Sequence, residues 1–185
     1  QNPLIYYYIC YMYGFSYFID LYFFTATILN WQNLLDDDRM KEIIIKSLEY
    51  MSEKRTKIYG FVIMPNHIHM LLTLEDGQSQ ADFQRDFLKY TSQRFIQIMR
   101  NENNPKLNNY LSTQKDRKYQ IWERRPYWTE VNKQEIFDTK LKYIHNNPLS
   151  GKWNLCNIPE EYKWSSCMFY EGMENNFPFL KDFYN

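Results

Sequence analysis

The stretch Tyr59-Gly-Phe-Val-Ile-Met-Pro-Asn-His-Ile-His-Met-Leu-Leu-Thr-Leu74 decides the fold. With Lys57 and Ile58 before it, it forms two apolar, β-branched runs, Lys57 to Met64 and His67 to Leu74, joined at Pro65-Asn66. Two such runs flanking a proline bend read as paired antiparallel strands. Side chains on a strand alternate faces, so His67 and His69 project together while Ile68 turns into the core. The chain has only three histidines, and two of them are here. Two imidazoles fixed on one rigid face can hold a divalent metal.

Upstream, Tyr22 to Leu29 is aromatic and β-branched and reads as another strand. Asp36-Asp37-Asp38 then opens a helix reaching about Lys54, with acids at its start and Lys54 and Arg55 at its end, as the helix dipole favours. Downstream, Ser79-Gln-Ala-Asp82 has the form of a capping box and starts a helix running to about Arg100. At 100° per residue, Phe83, Phe87, Tyr90, Phe95 and Ile98 fall on one side of that helix. Arg85, Lys89, Gln93 and Arg100 fall opposite, and Arg94 lands among the apolar positions. Asn101 to Arg117 is polar and reads as a loop, and Tyr119 to Trp122 as a short strand. Asn132-Lys-Gln-Glu135 again resembles a capping box, opening a helix with Phe137, Leu141 and Ile144 on its apolar face. Pro148 disfavours helical geometry at Asn147 and ends that helix near there.

The order is therefore β-α-β-β-α-β-α, whose first six elements are the split β-α-β arrangement. This predicts an α+β fold with a ferredoxin-like antiparallel sheet. Its helices lie on one face, the other face is left for a site or a partner, and a last helix follows near the C-terminus.

The 185 residues fit one domain, and 44% hydrophobic with 24% charged is globular composition. Net charge is zero, yet Arg85 to Lys142 carries 13 Lys/Arg against 7 Asp/Glu, a local excess of +6. Local basic patches matter more for phosphate binding than the global sum. Cys10, Cys156 and Cys167 are odd in number and far apart, which argues against a disulfide scaffold and fits a reduced cytoplasm. Residues 1–20 form an aromatic segment without charge before Asp20. Their tyrosines suit an interface better than a deep membrane span, so a membrane partner is not expected.

Tyr143 and Asn147 are four apart and project from one helix face. An activated tyrosine can form covalent intermediates, and an amide oxygen can be a third ligand beside two imidazoles. Two His, one Asn and a Tyr suit Mg²⁺ or Mn²⁺ holding a phosphate. Each feature also has an ordinary reading: an incidental His-x-His, a packing tyrosine, an Asn-Pro helix stop. Composition and spacing leave both readings open.

Met64-Pro-Asn-His-Ile-His-Met-Leu-Leu72 resembles the histidine-hydrophobe-histidine motif of single-tyrosine HUH transposases. Tyr143-Ile-His-Asn-Asn-Pro148 resembles their nucleophile segment, most of all that of the REP-associated tyrosine transposases. Phe23-Phe-Thr-Ala-Thr27, Ile121-Trp-Glu123 and Tyr162-Lys-Trp-Ser-Ser166 fit the same pattern in the same order. The likeness spans about residues 21 to 170, leaving 171–185 as a C-terminal tail.

The resemblance implies a metal-dependent nuclease and strand transferase acting on single-stranded or hairpin DNA through a 5′-phosphotyrosine. His67, His69 and Asn147 match the metal ligands and Tyr143 the nucleophile. His145 points elsewhere on the helix and is not assigned to the metal. Arg85, Lys89, Lys115, Arg117, Lys118, Arg124 and Arg125 become candidate phosphate contacts, with Trp122, Tyr127 and Trp128 interleaved as candidate stacking groups. A homodimer, with Tyr143 serving its own or a partner's histidines, stays open. So does a catalytically inactive or repurposed DNA/RNA-binding module on the same sheet. Leu71 and Leu72 stand where a metallo-β-lactamase-type hydrolase or a histidine-triad hydrolase would need further ligands, which excludes both.

Overall fold

The computed structural model describes residues 21–75, 77–173 and 176–185, so the aromatic segment 1–20 lies outside the described residues. The strands are β1 (Leu21–Thr27), β2 (Thr56–Met64), β3 (His67–Leu74) and β4 (Tyr127–Glu130). The helices are α1 (Asp38–Ser52), α2 (Gln80–Asn101), α3 (Gln134–Asn146) and the single turn α4 (Cys167–Tyr170). The strands form one antiparallel sheet in the order β2-β3-β1-β4, the ferredoxin-like arrangement.

The sheet register sorts residues onto two faces. Thr27 pairs with His67, Thr25 with His69 and Phe23 with Leu71, while Met64 and Val62 flank the histidines from β2. Directly paired side chains share a face, so all of these point one way. Phe24, Ile68, Met70 and Leu72 point the other way, into the larger core with α1 and α2. Phe83, Phe87 and Phe95 of α2 are fully buried there, each contributing roughly 2–3 kcal/mol of apolar burial. α3 lies on the opposite face, where Phe137, Leu141 and Ile144 pack on Phe23, Val62, Met64 and Leu71. The histidine face is thus roofed by α3 and by the segment after it, which brings in Trp153 and Tyr162.

Several local expectations change. The fourth strand is Tyr127–Glu130, not Tyr119 to Trp122. Tyr119 and Trp122 make only isolated bridges, to Leu111 and Ile28, and Ile121 and Trp122 are apolar because a loop buries them. The buried stripe of α2 is Phe83, Phe87, Thr91, Phe95 and Met99, a strict four-residue spacing that leaves Tyr90 exposed. Thr91 takes an apolar position by bonding its hydroxyl to the Phe87 carbonyl, and Arg94 reaches outward to Gln97. The Ser79–Asp82 capping box forms, whereas α3 begins after Lys133 with no side-chain cap.

β2 is an edge strand, and the chain covers it. Ser165 bridges Val62, the Ile63 N–H donates to the Trp164 carbonyl, and Leu180 runs parallel beside Ile58. Such covering hides backbone groups that would otherwise recruit another strand. The C-terminal residues pack rather than trail: Phe183 stacks on Phe137 with ring centres 3.6 Å apart.

Candidate active site

β3 sets the two histidines side by side, ring centres 4.7 Å apart, and both are almost fully buried. Burial without a counter-charge pushes both rings below the ordinary histidine value, His67 to about 4 and His69 to about 3. Both are therefore neutral at physiological pH and free of proton competition.

Each ring is held by a second residue. Asn66 Nδ2 donates to the Trp31 carbonyl, which fixes the amide and aims Oδ1 at His67 Nδ1, 2.7 Å away. His67 is then the Nδ1–H tautomer, with Nε2 left as a lone-pair donor. His69 Nδ1 sits 2.7 Å from Thr25 Oγ1, and its Nε2 faces the Tyr143 hydroxyl at 3.4 Å. The same tautomer satisfies that ring.

α3 brings in the rest. Tyr143 is 49% exposed, and its ring meets His69 edge-on at 5.2 Å. Asn147 caps the helix with φ −57° and ψ −41°, so it continues the helical register one turn beyond Tyr143. It is buried, and its side chain acts on His67, partly offsetting the effect of burial on that ring. Tyr143, His67, His69 and Asn147 thus meet within one chain. His145 faces away: its Nε2 lies 3.0 Å from Ser166 Oγ, and burial lowers its pKa to about 4.

Two imidazole nitrogens and an amide oxygen fit a divalent ion. His69 Nε2 faces Tyr143 on α3, and each ring has the kind of orienting bond on Nδ1 that metal-binding histidines use. The set contains no carboxylate, which leaves net charge for a phosphate to neutralise. A separate cluster also exists: donor atoms of Glu160, Cys167 and Glu171 lie within 4.8 Å of one another. Burial raises the Cys167 thiol to about 12, which opposes the thiolate that metal binding needs.

The predicted DNA contacts divide by location. Arg124 and Arg125 line a cleft of about 990 Å³ with Thr27, Asn30 and Trp31, at the end of β1 that meets His67. Lys115, Arg117 and Lys118 are exposed on the neighbouring loop, where Arg117 pairs with Asp116 at 2.6 Å and Lys118 lies over the Tyr119 ring. Arg85 and Lys89 belong to α2, behind the sheet, and Arg85 is held by Asp82 and Asp86. The fold does not bring these two to the histidines. Trp122 is a correction: it is 4% exposed, wedged between Phe87 and Phe95, with its indole N–H donated to Thr91. It is a core residue with no face for a base. Trp128 packs on Phe24, also behind the sheet, whereas Tyr127 pairs with Thr25 on the histidine face and is exposed.

The sequence reading missed Trp31, Trp153 and Lys140. Trp31 is 61% exposed, 6.3 Å from His67, and sits with Asn30 in left-handed backbone at φ 56° and 54°. The Asn30 N–H donates to Glu123 and the Trp31 carbonyl accepts from Asn66, which holds the strained turn. Trp153 lies 6.1 Å from the other side of His67. Lys140 Nζ lies over Phe23, which also stacks on His69. Among the described residues no helix is long and apolar enough to cross a membrane.

No curated protein matches the chain significantly. A solved REP-associated tyrosine transposase, bound to a REP hairpin, is similar over 86% of each chain, with a TM-score of 0.58 at 18% identity. A putative transposase from Deinococcus radiodurans R1 covers 71% of this chain and 93% of its own, at 16% identity and a TM-score of 0.47. The family model described as "Transposase IS200 like" matches residues 24–147, which takes in β1, both histidines, Tyr143 and Asn147. The chain belongs to the IS200-like transposase family, and it is a transposase enzyme.

Proposed function

We propose that this transposase nicks and rejoins single-stranded DNA at a hairpin-bearing site, with Tyr143 as nucleophile. The observation that carries the reading is the placement of the Tyr143 hydroxyl 3.4 Å from His69 Nε2, inside one chain. A tyrosine that merely packed would have no reason to present its oxygen to a buried, neutral imidazole. That contact also favours catalysis over a binding module, which would need the basic surface but not this pair.

His67, His69 and Asn147 would hold a divalent ion, Mg²⁺ or Mn²⁺, which supplies Lewis-acid polarisation of the scissile phosphate. The protein's own residues do the rest. Asn66 and Thr25 keep both rings oriented. α3 holds the phenol oxygen on the histidine face, so attack needs little rearrangement. The Tyr143 oxygen bonds to phosphorus and the P–O3′ bond breaks. The phenolic proton passes to solvent and the 3′ oxygen takes one up, leaving a 5′-phosphotyrosine and a 3′-OH. Rejoining is the reverse attack by a 3′-OH.

Arg124, Arg125, Lys115, Arg117 and Lys118 would contact phosphates along the cleft, and the exposed rings of Trp31 and Tyr127 would stack unpaired bases. The assay is incubation with labelled hairpin DNA carrying single-stranded flanks, in Mg²⁺ or Mn²⁺, on a denaturing gel. A covalent adduct that Tyr143→Phe abolishes supports the proposal. No adduct across a hairpin library sinks it.

A further inference from the structure

We propose that Lys140 is a catalytic residue whose ammonium contacts a non-bridging oxygen of the scissile phosphate. The proposal rests on the reading of Tyr143 as nucleophile.

Phe23 is the hub of the geometry. Its ring stacks on His69 at 5.2 Å and 21°, and meets Tyr143 at 6.1 Å. Lys140 Nζ lies 4.6 Å from the centre of the same ring. One aromatic side chain therefore carries the ligand, the nucleophile and a cation together. Lys140 also precedes Tyr143 by three residues on α3, so both leave the same helix face.

The ammonium is unpaired among the described residues. Among the described residues, no carboxylate lies within ion-pair distance of it, although eight other ion pairs form. The side chain is only part-exposed, beside two buried neutral rings. The face of Phe23 holds the cation beside these rings through its quadrupole. An arriving phosphate would supply the missing anion at the atom where charge grows during attack. In that step Lys140 keeps its three protons. The Tyr143 oxygen bonds to phosphorus, the P–O3′ bond breaks, the phenolic proton goes to water and the 3′ oxygen is protonated by water.

The test compares the unsubstituted protein with Lys140→Met and Lys140→Arg in single-turnover adduct formation. Met keeps the unbranched stem against Phe23 and removes only the charge. Two DNA substrates are used, one with an ordinary scissile phosphodiester and one with a neutral methylphosphonate there. Lys140→Met should slow the phosphodiester reaction about 100-fold, the scale of losing one preorganised oxyanion donor. It should leave the methylphosphonate reaction nearly unchanged, and Lys140→Arg should recover much of the loss. Equal slowing on both substrates, or no slowing, overturns the proposal.

A binding arm separates the two claims. In a Tyr143→Phe background, Lys140→Met should weaken binding of the phosphodiester oligonucleotide and not of the methylphosphonate one. If that discrimination holds while the unsubstituted protein makes no adduct, the nucleophile reading fails and the phosphate contact stands. If the discrimination is absent, the contact itself is refuted.

Discussion

Asn66→Ala isolates the residue that orients His67. Asn66 is 1% exposed, and its amide bridges the Trp31 carbonyl and His67 Nδ1. The substitution strands two groups. Trp31 is exposed, so its carbonyl can turn to water, but His67 is 7% exposed and its Nδ1–H loses its only partner. An unpaired buried donor costs about 1–3 kcal/mol, which sets the expected loss of stability. Loss of an orienting partner on a metal-binding histidine lowers metal affinity about 10–100-fold. Both quantities are measurable, the first by urea unfolding and the second by Mn²⁺ titration followed by electron paramagnetic resonance. Asn66→Asp is the control. Its carboxylate still accepts from Nδ1–H but cannot donate to Trp31, so Mn²⁺ affinity should be kept. If Asn66→Ala binds Mn²⁺ as tightly as the unsubstituted protein, Asn66 does not orient His67 and the ligand assignment is wrong.

Acidification should unfold the protein through its histidines. Burial lowers His145 from 6.5 to about 4, so the unfolded chain takes up a proton that the folded chain refuses between those values. Stability is then full above pH 6.5 and falls as pH drops toward 4, by roughly 3 kcal/mol from this residue, and His145→Gln should flatten the urea midpoint against pH. Trp122→Ala should cost about 3–5 kcal/mol, because it empties a core site and removes the indole bond to Thr91; a loss below 1 kcal/mol would contradict its placement. Trp31→Ala should weaken single-stranded DNA binding by about 1–3 kcal/mol while leaving the unfolding midpoint nearly unchanged, as fluorescence anisotropy and thermal melts would show. Gly60→Ala would place a Cβ 2.8 Å from Leu141 Cδ1, which the Leu141 side chain must turn to relieve; the urea midpoint should report a loss of roughly 1 kcal/mol.

The sheet was legible because its central strands are long and their alternation is strong. β1, β2 and β3 fall within two residues of their expected bounds, and His67 and His69 share a face as the period of two requires. β4 was not legible. It is four residues long with both ends exposed, and buried Ile121 and Trp122 in the loop before it outweigh it as an apolar signal. The α2 stripe was misjudged at two points: Thr91 and Met99 are buried where Tyr90 and Ile98 were expected, and Thr91 reads as polar until its hydroxyl is seen bonded within the core. In the site, spacing alone placed Tyr143 and Asn147 on one helix face. It could not show that α3 crosses the histidine face while α2 lies behind the sheet, which separates Arg85 and Lys89 from the histidines. Trp31 was invisible for a different reason: its role depends on a left-handed turn in which Asn30 is an ordinary occupant but a bulky tryptophan is not.

The most direct test of the account is mass spectrometry of the protein after reaction with a hairpin-bearing single-stranded DNA in Mn²⁺. The protease digest should contain the α3 peptide with Tyr143 carrying a nucleotide through its 5′ phosphate, and the released strand should end in a 3′-OH. Attachment at another residue, a 3′-phosphate linkage, or cleavage with no protein-bound nucleotide would contradict it.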